Sequence, residues 1–84
     1  MALPKYHSGE VVCGGDQVRW AGHRARVVFV LGAAGCPAAF AADYEWYLKE
    51  HGGGFLLEVE RIGFVFEHEA DEDLEFVCRG EYGA

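Results

Sequence analysis

Hydrophobic and polar residues alternate in five short segments of the chain, which is the pattern of half-buried β-strands. The segments lie at 17–20, 24–31, 55–60, 64–68 and 74–78. Twelve glycines punctuate the sequence and supply the turns that short antiparallel strands need. The pattern predicts an all-β domain of about five strands.

Each predicted strand has a face of large apolar residues, and these faces form the predicted core. In the third strand, Phe55, Leu57 and Val59 point inward and the glutamates beside them point outward. The second strand alternates only in its first half and then becomes apolar on both faces, which is typical of a central strand. The predicted core residues are Val18, Trp20, Val27, Phe29, Leu57, Val59, Phe64, Phe66, Leu74 and Phe76.

A long excursion, residues 32–54, separates the second and third strands. Its first part is rich in glycine and alanine, and Pro37 excludes a continuous helix across it. Asp43 is a candidate cap for a short helix of about two turns, and Gly52 is the candidate stop. An irregular segment is the alternative.

The first two strands and their turns form a recognisable outline at residues 9–30. The sequence G-E-V-V-C-G-G-D-Q-V-R-W-A-G-H-R-A-R-V-V-F-V contains a G-D-x-V turn, a strand, a glycine turn and a strand that ends in V-x-x-V. This outline resembles the opening of small SH3-like barrels, including KOW-type modules, which usually contact RNA or the transcription machinery. We therefore expect a small SH3-like barrel or a strongly bent antiparallel sheet.

The second half carries another resemblance, which extends as a pattern over residues 9–79. The order W-Y-L, G-G-G-F-L-L-E-V-E, I-G-F-V-F-E and D-E-D-L-E-F-V is similar to that of small bacterial proteins encoded beside polymorphic toxins. Such proteins are immunity proteins, which bind and block a cognate toxin. The resemblance implies a protein partner, and it implies no particular binding residue.

The size of the chain limits what it can contain. Its 84 residues form a single domain, 1–84, with room for one core and one site. A hydrophobic content of 51% and an aromatic content of 14% indicate a folded protein. A two-lobed enzyme, a full dinucleotide-binding unit and a TIM barrel are excluded by length.

The net charge of −7 is concentrated in the second half of the chain. Residues 1–42 have two acids and four bases, whereas residues 43–84 have twelve acids and three bases. Because phosphate binding needs a basic surface, nucleic acid is a disfavoured partner, and the RNA contacts of KOW modules are not expected here.

The chain has no apolar h-region of a signal peptide and no membrane-length apolar run, so we expect no membrane partner. Its three cysteines, Cys13, Cys36 and Cys78, are odd in number and lack C-x-x-C spacing. A cytoplasmic protein with reduced thiols is the prediction. Cys78 belongs to an apolar strand, and the reactivity of Cys13 and Cys36 stays open.

The densest charge is the run E-H-E-A-D-E-D-L-E at residues 67–75, with six carboxylates in nine positions. It is either a solvated loop that keeps the domain soluble or a face that meets a basic partner. Calcium binding is the weakest alternative, because the run lacks the D-x-D-x-D-G turn and the twelfth-position glutamate of an EF-hand. The candidate binding residues are Glu69, Asp71, Glu72 and Asp73.

An aromatic cluster in the excursion, Tyr44, Trp46 and Tyr47, is the second candidate site. These residues either form a lid over one end of the barrel or anchor an interface, since tryptophan and tyrosine bury large rigid area at low entropic cost. An SH3-type groove for proline-rich peptides also uses aromatic residues.

No motif in the sequence indicates catalysis, a cofactor or a metal. The four histidines are scattered, and none has zinc-module spacing to another histidine or to a cysteine. We therefore predict a non-catalytic protein-binding protein whose acidic face neutralises a bacterial toxin. The alternative is a structural or regulatory SH3-like module that self-associates.

Overall fold

The computed structural model describes residues 3–79, which form one five-stranded antiparallel sheet and a short helix. The order across the sheet is β4-β3-β2-β1-β5, so β1 to β4 form a meander and β5 returns to lie beside β1. The all-β prediction with a short helix is confirmed. The elements are β1 (Gln17–Trp20), β2 (His23–Val30), a 3₁₀ turn (Ala38–Phe40), α1 (Ala41–His51), β3 (Phe55–Val59), β4 (Gly63–Glu67) and β5 (Leu74–Cys78).

The main apolar cluster lies on one side of the sheet, which we call the inner face. It takes in side chains from four strands and from the N-terminal segment, and half-buried Trp20, Val65 and Phe76 pack against it. Most of the predicted core residues are therefore confirmed, because their side chains belong to this cluster or pack against it. The buried members are Tyr6, Val12, Val18, Ala25, Val27, Val30, Phe55, Leu57, Val59 and Leu74.

A second apolar cluster lies on the opposite, outer face of the sheet, beneath the excursion. Its buried members are Val28, Phe29, Leu31 and Leu56. The excursion folds back over the strands it connects and covers this cluster with side chains that the sequence does not mark as strand residues. The covering residues include Cys36, Phe40, Tyr44 and Tyr47, with Phe66 of β4 beside them.

An irregularity in β2 explains why this strand serves both clusters. Val27 pairs with Leu57, but Phe29 pairs with Leu56, so the register shifts and Val28 is the additional residue. A bulge of this kind interrupts the alternation of faces. Phe29 is a predicted core residue that strict alternation would place on the same face as Val27. Because of the bulge it belongs to the outer cluster instead.

The helix begins earlier than predicted and is longer. Phe40 occupies the N-cap position without a side-chain cap bond, and Asp43 lies in the first turn, so the prediction that Asp43 caps the helix is wrong. A carboxylate there still interacts favourably with the helix dipole. The predicted stop is confirmed: Gly52 adopts the left-handed conformation at φ 76°, and its N–H donates to the carbonyl of Leu48 at 3.0 Å.

The prediction that Phe64 points into the core is wrong. In the β3–β4 ladder Leu57 is paired with Val65, so it is Val65 that joins the inner cluster. Phe64 lies on the outer face, is 56% exposed and contacts Phe40 edge-on, with ring centroids 5.7 Å apart. Because every residue of F-V-F is apolar, alternation alone assigns either face equally well.

The turn before β1 contains a fully buried carboxylate, Asp16. Its Oδ2 accepts hydrogen bonds from the hydroxyl of Tyr6 at 2.6 Å and from the backbone N–H of Cys13 at 3.0 Å. Nε of Arg79 lies 3.7 Å from its Oδ1. Burial, and then the bond to Asp16, raise the pKa of Tyr6 well above its ordinary value, so the phenol remains a donor. This network joins the N-terminal segment to the turn and to the end of β5.

Candidate functional site

A groove lies where the end of α1 and the loop after β4 face the N-terminal segment. We call it the carboxylate groove, because three acidic residues of that loop region contribute to its wall. One side also carries Lys5, and the floor is formed by the glycines that follow the helix. Its lining residues are Leu3, Pro4, Lys5, His51, Gly52, Gly53, Gly54, Glu67, His68, Glu69, Ala70 and Asp71.

Glycine at position 54 allows the floor of the groove to form. Its φ is +121°, and a Cβ on it would lie 2.6 Å from the carbonyl oxygen of Glu67 and 2.7 Å from the ring of Phe66. Such close approach of two backbones requires glycine. The absence of a side chain at this position lets the chain that enters β3 lie directly against the end of β4.

A continuous series of ring contacts connects the aromatic cluster with the acidic loop. Tyr47 stacks on Phe66 with centroids 4.5 Å apart and an interplanar angle of 12°. His51, one helical turn further on, contacts Phe66 at 4.7 Å. Nδ1 of His51 and Nε2 of His68 are 3.2 Å apart, so the helix end and the loop share a hydrogen bond. The two predicted sites are therefore neighbours in space.

The four predicted acidic residues lie in the loop between β4 and β5, and all four are exposed. Two hydrogen bonds to the backbone of Asp73 hold the loop in place. Oδ1 of Asp71 accepts from the N–H of Asp73 at 2.9 Å, and the carbonyl of Asp73 accepts from the N–H of Ala21 at 2.8 Å. The loop therefore presents its carboxylates from an anchored backbone rather than from a free end.

The carboxylates of this loop have no cationic partner within residues 3–79, where the ion pairs are Arg26 with Glu58 and Arg79 with Asp16. At the base of the loop, burial raises the pKa of Glu67, and the charge of Asp71 and a hydrogen bond to it add to this effect. Trp20 and His68 oppose the shift in part. Lys5 also lines the groove but forms no ion pair with these acids within residues 3–79, so a further cation placed there would relieve the repulsion between them.

The three predicted aromatic residues have different surroundings. Tyr44 is half-buried on Phe29, with centroids 5.4 Å apart, and its hydroxyl oxygen accepts from the N–H of Gly32 at 2.9 Å. Tyr47 is half-buried on Phe66. Trp46 is 56% exposed and contacts Tyr47 edge-on at 5.0 Å. Two of the three thus cover the outer cluster, and Trp46 is the one with a free surface.

Sequence reasoning missed four groove residues, Lys5, His51, Glu67 and His68, as members of one site. The two histidines are 17 positions apart and meet only because α1 folds back on the sheet. The triple glycine at 52–54 was the available signal, since it indicates a close approach of backbones before β3.

None of the three cysteine thiols lines the carboxylate groove. Cys36 lies in the excursion, and burial, followed by the charge of Asp43, raises its pKa. Cys13 contacts the guanidinium of Arg79 and the carbonyl of Val11. Within residues 3–79, no group of three or more His, Cys, Asp and Glu side chains has an arrangement that could hold a metal ion.

No protein-family model matches the sequence, and neither a curated protein nor a solved structure matches it significantly. In the part of the chain that the structure describes, α1 is too short and too polar to cross a membrane.

Proposed function

We propose that the protein is a non-catalytic binding protein that presents the carboxylate groove and Trp46 to a basic surface of another protein. The observation that carries this proposal is the anchored loop of exposed carboxylates without cationic partners in residues 3–79. A solubilising loop needs no such anchoring, whereas a binding face gains affinity when its groups are already ordered before the partner arrives.

The chemistry of the groove suits a lysine or arginine side chain of the partner. Such a side chain would neutralise Glu67 and Asp71 and would lie against the rings of His51 and His68. The loop carboxylates further out would steer the approach of the partner, and Trp46 would supply buried apolar area at the edge.

The resemblance to immunity proteins supports a toxin domain as that partner. A basic cleft, as in a nuclease, is the complement that an acidic inhibitor would fill, and the protein would act in the cytoplasm.

The strand order, with β5 beside β1, supports an SH3-like arrangement for the domain. An SH3-like structural or regulatory module is the second candidate, which the exposed Phe64 on the edge strand favours.

Capture of the partner from the source cell, followed by a salt titration of the purified complex, tests the proposal. The test variant is Glu69→Gln with Glu72→Gln, because neither side chain holds the loop together. The matched control is Glu60→Gln with Glu75→Gln, two exposed carboxylates outside the carboxylate groove that form no ion pair within residues 3–79.

We expect the wild-type affinity to fall steeply as salt rises and the test variant to bind at least about tenfold more weakly, while the control binds like the wild type. A partner whose affinity is independent of salt, or one that tolerates the test variant, would refute the acidic interface. Capture of the catalytic domain of a large toxin would identify the partner class.

A further inference from the structure

The free edge of β4 carries an apolar surface that the carboxylate groove does not use. Among the strands of residues 3–79, β4 lies at the end of the sheet and pairs only with β3, without a register shift. Phe64 is 56% exposed, and Ile62 in the preceding turn is 49% exposed. Edge strands normally avoid pairing through lysine, proline or a bulge, and residues 61–69, R-I-G-F-V-F-E-H-E, contain none of these.

We propose that this edge pairs with β4 of a second copy of the chain, antiparallel and centred on Val65. The two sheets would then continue through the dimer as one. In this register Phe64 of each copy lies opposite Phe66 of the other, and Gly63 lies opposite Glu67. The inference does not rest on the proposed binding to a basic partner, although Glu69 takes part in both.

The sequence around β4 is charge-complementary to itself in this register. Arg61, in the turn before β4, comes opposite Glu69, in the loop after it, and the contact occurs twice by symmetry. Neither side chain has an ion-pair partner within residues 3–79. The antiparallel arrangement also keeps the two acidic loops at opposite ends of the interface, whereas a parallel arrangement would bring them together.

The aromatic residues of the outer face support the same pairing. Phe64 contacts Phe40 at 5.7 Å, and Phe66 stacks on Tyr47 at 4.5 Å, so each copy has two separate aromatic pairs at the edge. Pairing Phe64 of one copy with Phe66 of the other joins these into one row, and aromatic cross-strand pairs stabilise antiparallel strands. The surface that Phe64 exposes in the monomer would be covered.

Sedimentation velocity of the full chain, from about 1 µM to 1 mM, measures the association. The interface is one strand pair and its flanking side chains, so we expect a reversible monomer–dimer equilibrium within this range. Phe64→Lys should weaken the dimer at least about tenfold. The matched control is Val77→Lys on β5, the other edge of the sheet, where the native side chain is 46% exposed. The control should leave the equilibrium unchanged.

A charge swap tests the register. Arg61→Glu alone and Glu69→Arg alone should each weaken the dimer, and the two together should restore it, because the pair is re-formed with reversed sign. Both positions are exposed, so circular dichroism should show the fold retained in all three variants.

A wild-type chain that stays monomeric over the whole range would overturn the proposal, as would a dimer that Val77→Lys weakens as much as Phe64→Lys. A dimer that the double swap fails to restore would overturn the register. Arg61 lies outside the carboxylate groove, so Arg61→Glu should leave binding of the basic partner unchanged. Because the same variant should weaken the dimer, it separates the two proposals.

Discussion

The hydroxyl of Tyr6 donates a 2.6 Å hydrogen bond to Oδ2 of Asp16, a carboxylate whose exposure is 0%. The bond joins the N-terminal segment to the turn that begins β1. A buried carboxylate is tolerated only when donors surround it. Tyr6 therefore has a structural role in satisfying Asp16.

Tyr6→Phe removes this donor without changing the ring that packs on Phe76. We expect a loss of ~1.5–3 kcal/mol in the free energy of unfolding, the range for hydrogen bonds to charged groups, measured by urea denaturation. Tyr47→Phe is the control, since its hydroxyl makes no hydrogen bond to residues 3–79 and its removal should cost less than ~0.5 kcal/mol. Equal losses in the two variants would contradict the role assigned to Tyr6.

Gly54→Ala should be among the most damaging single-methyl additions. The new Cβ would meet the carbonyl of Glu67 at 2.6 Å, and the backbone is in a region that favours glycine, at φ +121°. We expect a loss of at least ~2 kcal/mol in unfolding free energy. In Gly14→Ala, by contrast, the atom nearest to the new Cβ is the carbonyl oxygen of Val28, at an ordinary van der Waals distance of 3.5 Å. Equal decreases in Tm for the two variants would contradict this prediction.

Glu67→Gln should change how stability depends on pH. The folded-state pKa of Glu67 is raised above 4.5, so the folded chain holds this proton more tightly than the unfolded chain does. Its contribution to stability is therefore fully present below pH 4.5 and is lost as pH rises through the raised pKa.

The glutamine variant should thus be more stable than the wild type near pH 7, and the difference between the two should shrink toward pH 4. Urea denaturation at a series of pH values measures this. Glu60→Gln, at an exposed turn position, serves as the control and should follow the wild-type curve. A variant that is less stable than the wild type at pH 7 would contradict the prediction.

Ala21→Asn should stabilise the β1–β2 hairpin. Ala21 has φ 48° and Gly22 has φ 83°, the left-handed pair for which Asn-Gly is the preferred sequence. Because Ala21 is exposed and its N–H is retained, the gain should be ~0.5–1 kcal/mol, seen as a higher Tm. Ala34→Asn, an exposed loop position outside the left-handed region, should change stability by less than ~0.5 kcal/mol.

Strand positions could be predicted from the sequence because glycine turns and β-branched runs are local signals. The predicted segments 17–20 and 74–78 coincide with β1 and β5, and the other three differ from the observed strands by a single residue at one or both ends. The end of α1 at Gly52 could be predicted for the same reason, since a left-handed cap is a local property of glycine.

The assignment of faces could not be predicted where both sides of a strand are apolar. The shift between Val27 and Phe29 leaves no signature in an unbroken apolar run, and Phe64 was misplaced for a related reason. The burial of Asp16 depends on a hydroxyl ten positions away, and the meeting of His51 with His68 depends on how the excursion packs. Contacts of this kind arise from tertiary structure and have no counterpart in local spacing.

The two apolar clusters on opposite faces imply two levels of cooperativity. The outer cluster is covered by chain that lies between β2 and β3, whereas the inner cluster joins segments from both ends of the described chain. The excursion can therefore detach, with the sheet still intact, at a smaller free-energy cost than global unfolding. We expect amide protons of α1 to exchange with solvent well before those of β2 and β3, so that native-state hydrogen exchange would resolve the cover and the sheet as separate units.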